Sequence, residues 1–186
     1  MKPFAVMMFF LAGLTACGAP ADRYIVAAPQ ATQSQRIAFR AVEIRDVSLP
    51  AYAADDEIVR QAPDGRVISD GGVLWADTPD RAIALELSRH LAQISGARVA
   101  SNPWPFEAFP DARLDLRFET FVAEESGRYR ATGQYFVAVV DGRRERSGLF
   151  DSSVPFNPEE GPAAIAAARG QLILDLAVDL ARRALR

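Results

Sequence analysis

Catalysis needs side chains that attack, exchange protons or hold a metal, and this chain of 186 residues carries few of them. It has one cysteine, Cys17, and one histidine, His90. A lone cysteine can neither close an internal disulfide nor build a cysteine-rich zinc site. A lone histidine within a helical stretch reads as a structural residue at or near the surface, because zinc needs partners that the sequence does not place beside it. Serines occur as Ser147-Gly148 and Ser152-Ser153, outside any Gly-x-Ser-x-Gly elbow. Asp55-Asp56-Glu57 lacks the ligand spacing of a calcium loop and reads as an exposed acidic turn. No Gly-x-x-x-x-Gly-Lys-Ser/Thr loop is present to cradle a phosphate. Two carboxylates brought together by folding are the one device that spacing cannot read. The chain is therefore expected to be a non-enzyme without metal or cofactor.

Cys17 has a different chemistry available to it. Lys2 gives a short positive start, Phe4 to Leu14 form an apolar run, and Thr15-Ala16 place small residues just before the cysteine. The run is shorter than the roughly 18–20 residues that span a bilayer, so it reads as a cleaved targeting segment. Leu14-Thr15-Ala16-Cys17 resembles the lipobox of bacterial lipoproteins, in which the cysteine sulfur takes a diacylglycerol and its freed amine a further acyl chain. An ordinary secretory signal with an incidental cysteine is the alternative. Each buried CH₂ contributes about 0.8 kcal/mol, so more than one chain makes a stable anchor. Gly18, not aspartate, follows the cysteine, which by resemblance to enterobacterial sorting favours the outer membrane.

Removing residues 1–16 leaves about 170 residues, the size of one domain. Hydrophobic residues make up 49% of the chain, enough for a real core, and the formal charge is −3. That balance predicts no nucleic-acid partner and no polybasic membrane patch. Lys2 is the sole lysine, so every later cation is an arginine. Genome composition is the plain reason for that bias.

The elements that must carry any site follow from periodicity. Residues 17–35 are rich in Ala, Pro and Gln and read as a lipidated tether with a short strand at Tyr24–Ala28. The folded domain spans 36–186. A long strand over residues 36–49 carries one slip near 42–44, read as a bulge, and ends at Pro50. Ile58-Val59 and Val67-Ile68 flank Pro63-Asp64-Gly65, which predicts a hairpin. Thr78 and Pro79 open a helix whose stripe is Ile83, Leu87, Leu91 and Ile94, and Gly96 stops it. A strand from Ala97 leaves through Pro103-Trp104-Pro105. Residues 113–156 alternate with period two around turns at 124–128 and Asp141-Gly142, which predicts a three-stranded meander. A last helix buries Ile165, Ala168, Leu172, Leu176 and Leu180, with Gly170 as a weak point. The order β-β-β-α-β-β-β-β-α predicts an α+β fold, a mostly antiparallel sheet with two amphipathic helices packed on one face.

Aromatic residues are the remaining candidates. Tyr52, Trp75, Trp104 and Phe106 each stand beside a proline, a glycine or a chain turn, as does Phe109. Core packing is the plain reading for Trp75. Trp104 and Phe106 alternate with Pro103 and Pro105 and are candidates for an apolar contact with a partner. Four stretches together resemble the PqiC-like auxiliary lipoproteins of ABC-type transporters: the lipobox with Cys17, residues 42–61 with Leu49-Pro50-Ala51-Tyr52, residues 73–93 with Trp75-Ala76-Asp77, and residues 102–121 with Pro103-Trp104. Asp77-Thr78-Pro79 departs from the Glu-Pro-Leu-like entry of that family, and the C-terminal third matches in pattern alone. The resemblance implies a non-catalytic lipoprotein in the cell envelope, anchored in the outer membrane and facing the periplasm. It implies work with an MCE-domain protein and its inner-membrane permease and ATPase in moving lipids or hydrophobic compounds. A ring of copies joined by sheet edges is one route to such docking, with Tyr52, Trp75, Trp104 and Phe106 shaping the domain or its contact surface. The rivals are a lipoprotein regulator of a peptidoglycan synthase, which needs a longer tether, and a secreted hydrolase, which needs a nucleophile and base that the sequence does not offer.

Overall fold

The structure is a computed structural model that describes residues 20–140 and 142–186. Cys17 and the targeting segment lie outside the described residues, as does Asp141 of the last hairpin. Eight strands form one open sheet: β1 (Asp22–Tyr24), β2 (Ala41–Ser48), β3 (Glu57–Gln61), β4 (Val67–Trp75), β5 (Arg98–Ser101), β6 (Ala112–Glu124), β7 (Arg128–Val139) and β8 (Arg146–Pro155). Among the described residues three α-helices accompany it: α1 (Ala51–Ala54), α2 (Pro79–Ser95) and α3 (Pro162–Arg183).

The sheet is organised by β6, whose thirteen residues are enough to serve two neighbours on one edge. Along its other edge β7 pairs antiparallel from Ala112↔Val139 to Glu124↔Arg128. On the shared edge β2 takes the first half in parallel, from Val42↔Ala112 to Ser48↔Arg117. β3 takes the far end through Arg60↔Ala123 and Gln61↔Glu124. The longest ladders, β6–β7 and β7–β8, and the β3–β4 hairpin are antiparallel, and the other short ladders on the β2 and β1 sides are parallel. The strands β5, β1 and β8 are the edges.

The two long helices lie side by side on one face, α2 over β2 and β5, α3 over β7 and β8. Their stripes are buried as the spacing predicts: Ile83, Leu87, Leu91 and Ile94 from α2, and Ile165, Ala168, Leu172, Leu176 and Leu180 from α3. They meet Leu114 and Leu116 of β6 and an aromatic cluster in which Phe118, Phe121, Tyr129 and Phe150 pack edge to face at 5.1 Å. Pro79 and Pro162 occupy the first turns, where their missing N–H leaves nothing unpaired. Gly96 ends α2 at φ 69 and donates its N–H to the Ala92 carbonyl. Thr78 does not cap with its side chain; instead the Asp77 carboxylate accepts the Thr78 N–H at 2.9 Å.

Four local details differ from the sequence reading. The long strand begins at Ala41, because the Asp111 carboxylate captures the N–H groups of Arg40 and Ala41 at 2.8 and 3.0 Å. Its irregularity falls between Ile44 and Val47 rather than near 42–44. The short N-terminal strand is Asp22–Tyr24 rather than Tyr24–Ala28 and runs parallel to β4. The chain then lies on α3 at Gly170, where a Cβ would meet the Ala27 carbonyl at 2.5 Å. That close approach is why glycine stands in the middle of this helix. The single turn α1 has no periodic signal of its own and starts from Pro50, whose carbonyl accepts from Ala53 and Ala54.

Candidate functional site

Helical spacing places charged residues on the buried stripes as well as apolar ones. Arg169 lies four residues after Ile165 on α3, and Glu86 and His90 lie between Ile83 and Ile94 on α2. All three are buried, with Arg169 and His90 each 1% exposed. An Arg169 Nη2–H donates to Glu86 Oε1 at 3.4 Å, and the guanidinium lies 4.7 Å from the centre of the Trp75 ring. Arg169 Nε and Glu86 Oε2 have no hydrogen-bond partner among the described residues. Burial pushes the Glu86 carboxyl above its ordinary value, and Arg169 opposes that shift. Burial also pushes the Tyr129 hydroxyl above its usual range.

Trp75 and Tyr52 therefore serve the interior. Trp75 is 5% exposed, its ring under Arg169 and its backbone N–H donating to the Asp56 carbonyl at 2.7 Å. The Tyr52 hydroxyl accepts the Phe121 N–H at 3.3 Å, close to the irregularity of β6 between Phe118 and Thr120. The two residues fix the β3–β4 ribbon and α1 onto the rest of the sheet. His90 is fully buried rather than near the surface, and neither ring nitrogen has a hydrogen-bond partner among the described residues. Burial and then the charge of Arg89 hold its pKa below the ordinary value. The ring is thus neutral near pH 7 and out of reach of a substrate.

Trp104 and Phe106 belong to a different place, the loop between β5 and β6. The Trp104 indole donates to the Ala108 carbonyl at 2.7 Å and meets Phe106 edge to face at 4.9 Å. Arg98 lies 4.8 Å over the Phe106 ring. These contacts fold the loop on itself and leave Phe106 41% and Phe109 78% exposed. Together they form an apolar patch beside the edge strand β5. A single exposed leucine, Leu149 at 69%, lies on the edge strand β8.

Two of the remaining polar candidates are engaged elsewhere. Asp56 pairs with Arg23 at 3.5 Å, and the Ser153 hydroxyl is bonded by Arg128. Among the described residues no group of three His, Cys, Asp or Glu stands close enough to hold a metal ion. No described helix is long and apolar enough to cross a membrane. Glu86 and Arg169 were the residues that sequence reasoning missed, and their signal was a charge standing on an otherwise apolar stripe.

The fold is shared with solved structures. One, titled an uncharacterized protein, superposes with a TM-score of 0.71 at 18% identity, covering 89% of this chain and 99% of that one. A protein from Xanthomonas campestris superposes at 0.67 with 19% identity, covering 88% and 95%. A PelC dodecamer from Paraburkholderia phytofirmans reaches 0.44 at 13% identity, covering 82% and 95%. No curated protein sequence matches the chain. The family model for the ABC-type transport auxiliary lipoprotein component matches residues 24–181, from β1 to the last turns of α3, and the chain belongs to that family.

Proposed function

We propose that this protein is a non-catalytic subunit of an MCE-type ABC transport system. Acylated at Cys17 and held in the outer membrane facing the periplasm, it docks the end of an MCE assembly whose permease and ATPase lie in the inner membrane. The cargo is a lipid or another hydrophobic compound, and the docking supports envelope integrity. The family match over residues 24–181 carries this reading.

The described structure supplies three supports. Its charged interior residues are locked in the core, so they hold shape rather than perform chemistry. Only residues 18–21 separate Cys17 from β1, which pairs with β4. A span that short holds the domain close to its own membrane, whereas a regulator of a peptidoglycan synthase must reach away from it. The Phe106–Phe109 patch and the edge strands β8 and β5 offer contact surfaces for the MCE protein and for further copies of this chain.

Membrane fractionation tests the docking. With the wild-type chain, the MCE protein is retained in outer-membrane fractions. With Cys17→Ala, which cannot be acylated, it returns to the inner-membrane fraction. Equal retention with both would refute the anchor as the docking device.

A further inference from the structure

A cavity of about 440 Å³ lies where the β3–β4 ribbon peels away from the start of α3. Its origin is visible in the pairing. The β3 strand joins β6 through two residue pairs, and its ladder with β4 shifts register between Glu57 and Val59. Ile58, Val73, Phe156, Pro162 and Ile165 supply the apolar part of its lining. The volume falls within the roughly 300–1,000 Å³ of small-molecule sites.

The rim decides the chemistry of the occupant. Arg60 bridges Asp70 at 2.7 Å and Glu125 at 3.7 Å, and Glu124 stands beside them. Three carboxylates against one guanidinium leave the mouth negative, with the one cation already engaged by two of them. Pro162 has no N–H, and those of Ala164 and Ile165 both donate to the Gly161 carbonyl. A chamber with that apolar lining and such a mouth suits a hydrocarbon chain whose head is cationic, and disfavours a fatty carboxylate.

Val73, in the wall, pairs with Asp22 at the start of β1. Cys17 precedes Asp22 by five residues, a span of at most about 18 Å of extended chain. We propose that this cavity binds one acyl or alkyl chain of a cationic-headed amphiphile taken from the bilayer beside the anchor. The source of the ligand rests on the envelope reading above; the binding itself does not.

Photo-crosslinking tests it. The lipidated full chain, held in phosphatidylcholine nanodiscs, is exposed to photoactivatable dodecyl probes with trimethylammonium, maltoside or carboxylate heads. Labelled peptides are mapped by mass spectrometry. The expected labels fall on β3, β4 and residues 156–165, about five- to tenfold stronger with trimethylammonium than with carboxylate. Val73→Trp, which fills the chamber, abolishes them. The double substitution Glu124→Gln, Glu125→Gln leaves the chamber and the Arg60–Asp70 pair intact, brings the mouth to neutrality and removes the preference between heads. Labels scattered over the surface, or equal labelling by the carboxylate in the wild-type chain, would overturn the proposal. So would labelling seen only with Cys17→Ala, since the protein's own acyl chain would then be the occupant. Failure here leaves retention of the MCE protein unchanged, so the two readings fall separately.

Discussion

Replacing Arg169 by methionine removes a buried charge and keeps most of the side chain's apolar bulk. The guanidinium lies 4.7 Å from Trp75, and a methionine sulfur near the same ring recovers part of that contact. The main loss is the counter-charge of Glu86, 3.4 Å away and 8% exposed. Glu86 then either stays ionised in an apolar site, at about 3–5 kcal/mol, or takes up a proton. Protonation sets the ceiling. From the ordinary Glu value of 4.5 to pH 7 is about 2.5 pH units, each about 1.36 kcal/mol, so the neutral form costs at most about 3.4 kcal/mol. Burial already raises the carboxyl above 4.5, so the loss expected at pH 7 stays below that ceiling of about 3.4 kcal/mol. A carboxyl raised in the folded state favours folding at low pH, and that contribution is lost as pH rises through the folded value. The difference between variant and wild type should therefore shrink to about 1 kcal/mol by pH 5.5. Urea unfolding at both pH values reads it, provided the m-value is unchanged. Adding Glu86→Gln should return stability to within about 1 kcal/mol of wild type. A loss equal at both pH values, or a double variant as unstable as the single one, would refute the reasoning.

Three further outcomes follow from the same structure. His90 is held below its ordinary pKa of 6.5. Its contribution to stability is therefore full above pH 6.5 and lost as pH falls, and His90→Gln should flatten that part of the urea-midpoint profile. A Cβ at position 133 would stand 2.1 Å from the Arg117 carbonyl and 2.7 Å from Phe150, so Gly133→Ala should lower stability by about 2–3 kcal/mol in urea unfolding. Replacing the exposed Phe109 by serine should change stability by less than about 0.5 kcal/mol while weakening recovery of a crosslinked partner.

Much of this fold was legible because its signals are local. The stripes of α2 and α3, the prolines that open them and the glycine that ends α2 are set by nearest neighbours in the chain. The hairpin at Pro63-Asp64-Gly65 and the meander follow from turn chemistry and alternation. What escaped depends on distant partners. Nothing in Asp22–Tyr24 announces a parallel match to β4, and nothing near Ala41 announces that Asp111 will take the N–H groups of residues 40 and 41. The aromatic residues divided in the same way. Trp75 and Tyr52 went to the interior, where Arg169 and the Phe121 N–H engage them, and the Trp104 loop stayed outside with Phe106 and Phe109. The buried ion pair could have been found by reading the two helices together, since each sets one charge of opposite sign on its apolar stripe.

The central claim is attachment to a transport system, and crosslinked co-purification tests it most directly. The lipidated chain carries a C-terminal tag, is mildly crosslinked in cells and extracted in detergent, and its partners are identified by mass spectrometry. The account predicts recovery of an MCE-domain protein together with its permease or ATPase, reduced when Phe106 and Phe109 are both replaced by serine. Recovery of a peptidoglycan synthase without any transporter component would contradict it.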